Sequence, residues 1–295
     1  FEDDNISPEL TLTYAINDDI SVYGAYKTGF KSGGIDNNSL PTGGLVVNLE
    51  SQDPAIRQSS IDVLQYESEE SDGGEVGFRS RLLDQSLTLN ITAFRYIFEN
   101  LQVQIFDPAV FAFSTFNAGE LTTQGVDVDF IWLTDLPGLS LSGAWSFLDT
   151  EISGDLIAAS GANLKGRQGG FAPDISGNLA INWETSLNDS LMLSVSSNIA
   201  FKDDYFVGGS SLEPFDAVTN PLGDLAQDSY TTVDANLSVY PADESWKISL
   251  IATNLTDEEY ITFAGPAPFR PATGDDQLVF LNRGRQVFIE AAFKF

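Results

Sequence analysis

Leu10, Leu12, Tyr14 and Ile16 occupy every second position, with Glu9, Thr11 and Thr13 between them, and this alternation recurs along the chain. Ile20, Val22, Tyr26 and Phe30 alternate with Ser21, Ala25 and Lys27, and Val76, Phe78 and Leu82 alternate with Glu75, Arg79 and Arg81. Leu87, Leu89 and Ile91 oppose Thr88, Asn90 and Thr92, and Val126, Val128, Phe130 and Trp132 oppose Asp127 and Asp129. The second half repeats the pattern. Leu179, Ile181 and Trp183 stand against Asn178, Asn182 and Glu184, and Leu193, Val195 and Ile199 against Ser194, Ser196 and Asn198. Val233, Leu237 and Val239 oppose Asp234, Asn236 and Ser238, and Val287, Ile289, Ala291, Phe293 and Phe295 oppose Glu290 and Lys294. A period of two puts each set on its own face of an extended strand. The pattern predicts about eleven strands, each with one apolar and one polar face. Near Ala93 it changes parity, because the apolar set becomes Phe94, Tyr96 and Phe98. A β-bulge there would restore the faces.

The connections fall into two kinds. Tight, turn-like segments at 17–19, 83–86, 135–138, 187–190 and 241–245 alternate with long ones rich in Gly, Pro, Asp and Asn, at about 31–71, 107–116, 151–172, 205–227 and 258–282. A meander of hairpins with short turns at one rim and long loops at the other produces that order. The expected fold class is therefore all-β: an antiparallel, up-and-down transmembrane β-barrel. A soluble sandwich also alternates, but its strands run nearer five or six residues, whereas these run to about ten. The polar positions are mainly Ser, Thr, Asn and Asp, which suits a wet lumen. Trp132, Trp145, Trp183 and Trp246 all fall on apolar faces, where an aromatic girdle at the membrane interface would put them. A passive porin or translocator barrel shares every one of these features, and a soluble extracellular β binding module shares many.

Composition narrows the chemistry. The formal charge is −29, from 14 Lys+Arg against 43 Asp+Glu, so no nucleic-acid partner is expected. No run approaches the eighteen or so apolar residues of a membrane-spanning helix, so any membrane crossing must use strands. His and Cys are both absent, which removes imidazole bases, thiolate nucleophiles and Cys/His zinc sites. No enzyme activity, metal or cofactor is expected. Acidic pairs such as Asp18-Asp19 and Asp203-Asp204 lack the spacing of a calcium loop and read as solvated turns. Asp127, Asp129, Asp234 and Glu290 are expected to face the lumen.

Four stretches together resemble one family. They are ISVYGAYKTGFKSGGI at 20–35, EVGFRSRLLDQSLTLN at 75–90, FNAGELTTQGVDVD at 116–129 and NLTDEEY at 254–260. They occur in the order found in the β-barrels of TonB-dependent outer-membrane receptors, and Phe293 and the terminal Phe295 resemble the aromatic C-terminal signal of such barrels. Asn254, Leu255, Asp257 and Tyr260 carry the most specific of these motifs. The resemblance implies a bacterial outer-membrane location, with short turns periplasmic and long loops extracellular. It implies that residues 1–295 are the C-terminal part of a barrel, with about eleven of an expected twenty-two strands. The plug domain and the first half of the barrel would lie outside the chain. The start at Phe1, without a signal-peptide pattern, fits that expectation.

The implied function is active import of a scarce nutrient, most often a ferric siderophore. The partners would be outer-membrane lipid, the barrel assembly machinery, the TonB complex acting through the absent N-terminal region, and the small-molecule ligand. Tyr205, Phe206, Phe215, Phe263, Phe269 and Arg270, in the long loops, are the expected ligand contacts, because aromatic faces suit large flat ligands; the alternative is that they pack within the loops themselves.

Overall fold

The computed structural model describes residues 3–35, 51–62, 65–107, 112–156, 162–207, 223–266 and 277–294. Its elements are β1 (Glu9–Ala15), β2 (Ile20–Lys31), β3 (Gly34–Ile35), α1 (Pro54–Asp62), β4 (Gln65–Tyr66), β5 (Glu69–Leu82), β6 (Leu87–Asp107), β7 (Ala112–Leu133) and β8 (Leu139–Ile152). They continue with β9 (Ile175–Ser186), β10 (Leu191–Lys202), β11 (Tyr205–Phe206), β12 (Ala226–Gln227), β13 (Tyr230–Pro241), β14 (Trp246–Thr253), β15 (Ile261–Pro266), β16 (Gln277–Leu281) and β17 (Gln286–Phe293). Eleven strands form one sheet in the order β1-β2-β5-β6-β7-β8-β9-β10-β13-β14-β17, antiparallel throughout. Each long strand lies beside the next one in the chain. The expected meander of about eleven strands is what the chain adopts.

The register segregates the two faces as the alternation requires. One row across the sheet reads Leu89, Phe130, Gly143, Leu179, Ile199 and Val233. The row one residue away reads Asn90, Asp129, Ala144, Asn178, Ala200 and Thr232. The apolar face is left uncovered: Leu12 is 70% exposed and Ile289 74%. A soluble sandwich would bury that face against a second sheet, and no such sheet exists among the described residues. The apolar face is the outside of a barrel wall and the polar face its lumen.

The tight turns form where side chains substitute for missing backbone partners. Asn17 Oδ1 accepts from the Asp19 amide at 2.9 Å, and Asn188 Oδ1 accepts from Ser190 at 2.9 Å. Asp243 Oδ1 accepts from the Ser245 amide at 3.0 Å, and the bonds from Ser245 hold this exposed carboxyl below the usual carboxylate range.

Two expectations fail for the same reason. No bulge occurs at Ala93–Phe94: β5 and β6 stay in unbroken register from Glu70↔Glu99 to Leu82↔Leu87. Phe94, Tyr96 and Phe98 therefore face the lumen, while the outward positions become Arg95, Ile97 and Glu99. The outward partners at this level are Gly74, Asp72 and Glu70 on one side and Gln124, Thr122 and Glu120 on the other. The strands have left the apolar band, and both faces now meet water. Nor is 107–116 a long loop, since β6 reaches Asp107 and β7 resumes at Ala112. The ladder breaks instead at Asn100 and Gly119, which have φ of 53° and 30°.

Glycines sit beneath aromatic rings on the partner strand. Tyr23 lies over Gly77, Tyr96 over Gly73 and Phe94 over Gly125 on the luminal face, and Trp145 over Gly177 on the outer face; each pair is directly cross-strand. A Cβ at Gly77 would sit inside the Tyr23 ring. Gly77→Val is expected to destabilise the barrel by about 1–3 kcal/mol through overpacking. Urea unfolding of the full-length protein in detergent checks this, and adding Tyr23→Ala should recover most of the loss.

Candidate functional site at the long-loop rim

The long connections after β8, β10 and β14 fold back over the luminal face. Tyr230 starts β13 on that face, in register with Lys202. Tyr260 stacks on it, with ring centroids 4.1 Å apart and planes within 8°. Tyr205 and Val207 pack with Tyr230 and Ala264 into a small core, and Tyr205 donates to the Ile261 carbonyl at 3.4 Å. Gln227, buried in β12, accepts from the Ile261 amide at 2.7 Å and so ties this loop to β15.

Phe171, Lys202, Tyr205, Tyr230 and Tyr260 line a cleft of about 240 Å³. Lys202 Nζ stands 5.9 Å from the centre of the Tyr205 ring. Phe171 lies tilted against Tyr205, with ring centroids 6.1 Å apart, and its amide donates to the Phe206 carbonyl at 2.9 Å. Arg167 lies over the Phe206 ring, 5.1 Å from its centre, and is ion-paired with Asp224. Its Nε is buried with no hydrogen-bond partner among the described residues. Elsewhere the mouth is acidic. Burial, and then the Asp203, Asp149 and Asp204 carboxylates, push the Asp174 carboxyl above its ordinary range. The folded chain holds that proton more tightly than the unfolded one, so this group opposes folding increasingly as pH rises through its ionisation.

Of the ligand contacts expected from sequence, Tyr205 lines the cleft and Phe206 adjoins it under Arg167. Phe263 does not join them: it is exposed on the β15–β16 hairpin, against Phe280 at 6.0 Å. Phe215, Phe269 and Arg270 lie outside the described residues. Sequence reading missed Arg167, Phe171, Lys202 and Tyr230. Lys202 carried a usable signal, since its place at the last position of a luminal row puts a cation at the mouth.

The family model for the TonB dependent receptor-like β-barrel matches residues 1–255. The chain belongs to that family. The pesticin receptor of Yersinia pestis is 24% identical over 298 residues, covering 99% of this chain but 36% of the receptor, so the chain spans about a third of that relative. The metal-pseudopaline receptor CntO of Pseudomonas aeruginosa is 28% identical over 205 residues, 66% of this chain and 25% of the receptor. Among solved structures, the ferric yersiniabactin uptake receptor FyuA of Yersinia pestis superposes with a TM-score of 0.70 at 21% identity, over 97% of this chain and 37% of that one. The ferripyoverdine receptor of Pseudomonas aeruginosa gives 0.61 at 16% identity, over 98% and 33%. These structural likenesses establish a shared barrel fold.

In this TonB-dependent receptor chain the family motifs sit where the strand ladder is interrupted, and their amide side chains replace backbone partners there. Asn254, 7% exposed with φ of 50°, donates to the carbonyls of Glu258 (2.8 Å) and Arg283 (3.2 Å) and accepts from the Glu258 amide (3.0 Å) and Thr256 hydroxyl (3.2 Å). Asp257 accepts from the Arg285 amide at 2.9 Å and pairs with its guanidinium at 3.2 Å. The Leu255 amide bonds to Val233, and the Tyr260 amide to Asn282 Oδ1 at 2.9 Å. Asn117 does the same beside the break at Gly119, with its Oδ1 accepting from the Glu67 amide at 2.6 Å and its Nδ2 donating to the Glu67 and Asn100 carbonyls. Asn254, Leu255, Asp257 and Tyr260 thus form a joint that turns β14 and β17 into the β15–β16 hairpin.

Proposed function

We propose that this chain is the C-terminal part of the barrel of an outer-membrane receptor that actively imports a ferric siderophore. β1 and β17, exposed at every position, meet further strands from the same gene product, because unpaired backbone groups at a sheet edge are not tolerated in lipid. In this reading the chain supplies about eleven of twenty-two strands, a plug domain fills the lumen, and the TonB complex acts on that plug. Phe293 and Phe295 mark the terminal strand for the barrel assembly machinery.

One observation supports the ligand assignment above the rest. Within an acidic mouth, the aromatic cleft is bordered by two cations, Lys202 and Arg167. Aromatic faces and a neighbouring cation suit a flat, anionic metal chelate. The cleft is smaller than the roughly 300–1,000 Å³ of most ligand sites, so it forms part of the contact surface. Phe215, Phe269 and Arg270, which lie outside the described residues, stay proposed ligand contacts on the sequence pattern alone.

The test uses the full-length gene in a receptor-deleted strain, with uptake measured over a panel of labelled iron complexes. One complex should be taken up in a TonB-dependent way. Tyr205→Ala and Lys202→Gln should each raise its half-saturating concentration about tenfold, the equivalent of ~1.4 kcal/mol. Uptake that persists without TonB would identify a passive barrel instead, and unchanged half-saturation in both variants would remove the cleft from the ligand site.

A further inference from the structure

The outer face is uneven. Across β1, β2, β5 and β6 it dips into a groove of about 550 Å³. Gly24, Gly74 and Ala93 make its floor, contributed by three successive strands, and Leu12, Tyr26 and Val76 stand around it. Among the described residues nothing fills the depression above Gly24, where a Cβ would meet no atom closer than 4.0 Å.

Arg95 closes the groove at the long-loop end, paired across to Gly74 and Gln124 on the outward face. It is the only Lys or Arg on that face among the described strand residues. Lys27, Lys31, Arg79, Arg81, Lys202 and Lys247 all occupy luminal positions. Arg95 is exposed and has no carboxylate within ion-pairing distance among the described residues, unlike Lys27 with Glu75 at 2.8 Å. Further along the same outward face come carboxylates: Asp72 opposite Ile97, then Glu70, Glu99 and Glu120 side by side. From the middle of the wall towards the loops the surface therefore reads as an empty apolar trough, one unpaired guanidinium, then a belt of negative charge.

That sequence has a chemical complement. We propose that the groove binds a phosphorylated acyl lipid, with one chain in the Gly24–Gly74–Ala93 trough and the phosphate on Arg95. The planar guanidinium offers a phosphate two parallel charge-assisted hydrogen bonds. The acyl chain covers floor atoms that flanking side chains leave bare. The carboxylates beyond Arg95 repel the headgroup from any higher position, which sets its depth. Arg95 stands where the apolar band gives way to water, the depth at which a cation on a barrel wall costs little and at which lipid phosphates lie. The inference rests on the reading that the apolar face meets membrane lipid.

The experiment titrates the detergent-purified full-length receptor by native mass spectrometry with dioleoyl phosphatidic acid, dioleoylglycerol and inorganic phosphate. Phosphatidic acid should bind about tenfold tighter than dioleoylglycerol, the margin of one charge-assisted contact, and phosphate alone should neither bind nor compete. Arg95→Gln should lower phosphatidic acid to the level of dioleoylglycerol. Gly24→Leu, which fills the floor and leaves Arg95 in place, should weaken both lipids severalfold. Retention of the compact, heat-sensitive gel mobility of a folded barrel shows that each variant is intact. Equal binding of the two lipids by the parent protein, or a phosphatidic acid preference that survives Arg95→Gln, overturns the proposal. Displacement by inorganic phosphate would reduce the site to an anion contact and overturn the acyl part. A full-length protein that stays in buffer without detergent would instead overturn the membrane reading itself.

Discussion

Asn254→Ala is expected to cost about 3 kcal/mol, enough to loosen the hairpin that β14 and β17 carry into the long-loop rim. The side chain makes four hydrogen bonds while 7% exposed. Its removal leaves the Glu258 amide without a partner, at roughly 1–3 kcal/mol if water cannot reach it, whereas the Glu258 and Arg283 carbonyls keep the Asn282 side-chain amide at 3.0 and 3.1 Å. Alanine must also adopt φ near 50°, where a Cβ costs about 1 kcal/mol and asparagine is unusually tolerant. Three substitutions separate these contributions. Asn254→Gly keeps the backbone conformation and loses only the hydrogen bonds, so it should be the mildest. Asn254→Ala loses both. Asn254→Asp keeps the Oδ1 acceptor but turns a carboxylate oxygen towards two carbonyls, so it should be the worst despite its near-identical shape. Urea titration of the full-length receptor in micelles ranks them. An aspartate variant as stable as the parent would mean that the joint is not held by the amide.

That joint also shows what a sequence of this kind exposes and what it hides. Outward and luminal faces were legible because a strand's side chains alternate rigidly, and each of the turns at 17–19, 83–86, 135–138, 187–190 and 241–245 separates two sheet strands as expected. NLTDEEY was legible as a family motif, but its work was not: Asn254 answers to Arg283, far along the chain, and the pairing of β14 with β17 and of β15 with β16 brings them together. The misplaced bulge has a different origin. A change of apolar parity at Ala93 is produced equally by a slipped register and by a strand leaving hydrocarbon for water. The pattern cannot distinguish these, whereas the pairing of Phe94 with Glu75 and Gly125 does. Arg167 and Phe171 sit in an aperiodic connection, so nothing along the chain marks them. Their importance comes from Phe206 and Tyr205, on a different loop.

The largest asymmetry should appear between two adjacent residues of β10. Val195 faces outward near the middle of the strand, between Trp183 and Leu237, and Ser196 faces the lumen between Asn182 and Asn236. An arginine at the hydrocarbon midplane of a barrel wall costs about 2–4 kcal/mol, because its charge must snorkel or draw water and headgroups inward. An arginine at Ser196 enters a polar, hydrated row, with the luminal Asp234 and Asn198 as neighbours, and should cost less than about 1 kcal/mol. Val195→Arg should therefore cut the folded, membrane-inserted fraction of the full-length protein sharply, while Ser196→Arg leaves it nearly unchanged, as read by unfolding titrations in lipid vesicles. A sheet wetted on both sides would tolerate both substitutions. A sandwich packed on its apolar face would also reject Val195→Arg, but it would fold without lipid. Only a wall between hydrocarbon and a wet lumen combines the asymmetry with a requirement for lipid, because there the penalty at Val195 comes from the solvent on that side and not from protein packing.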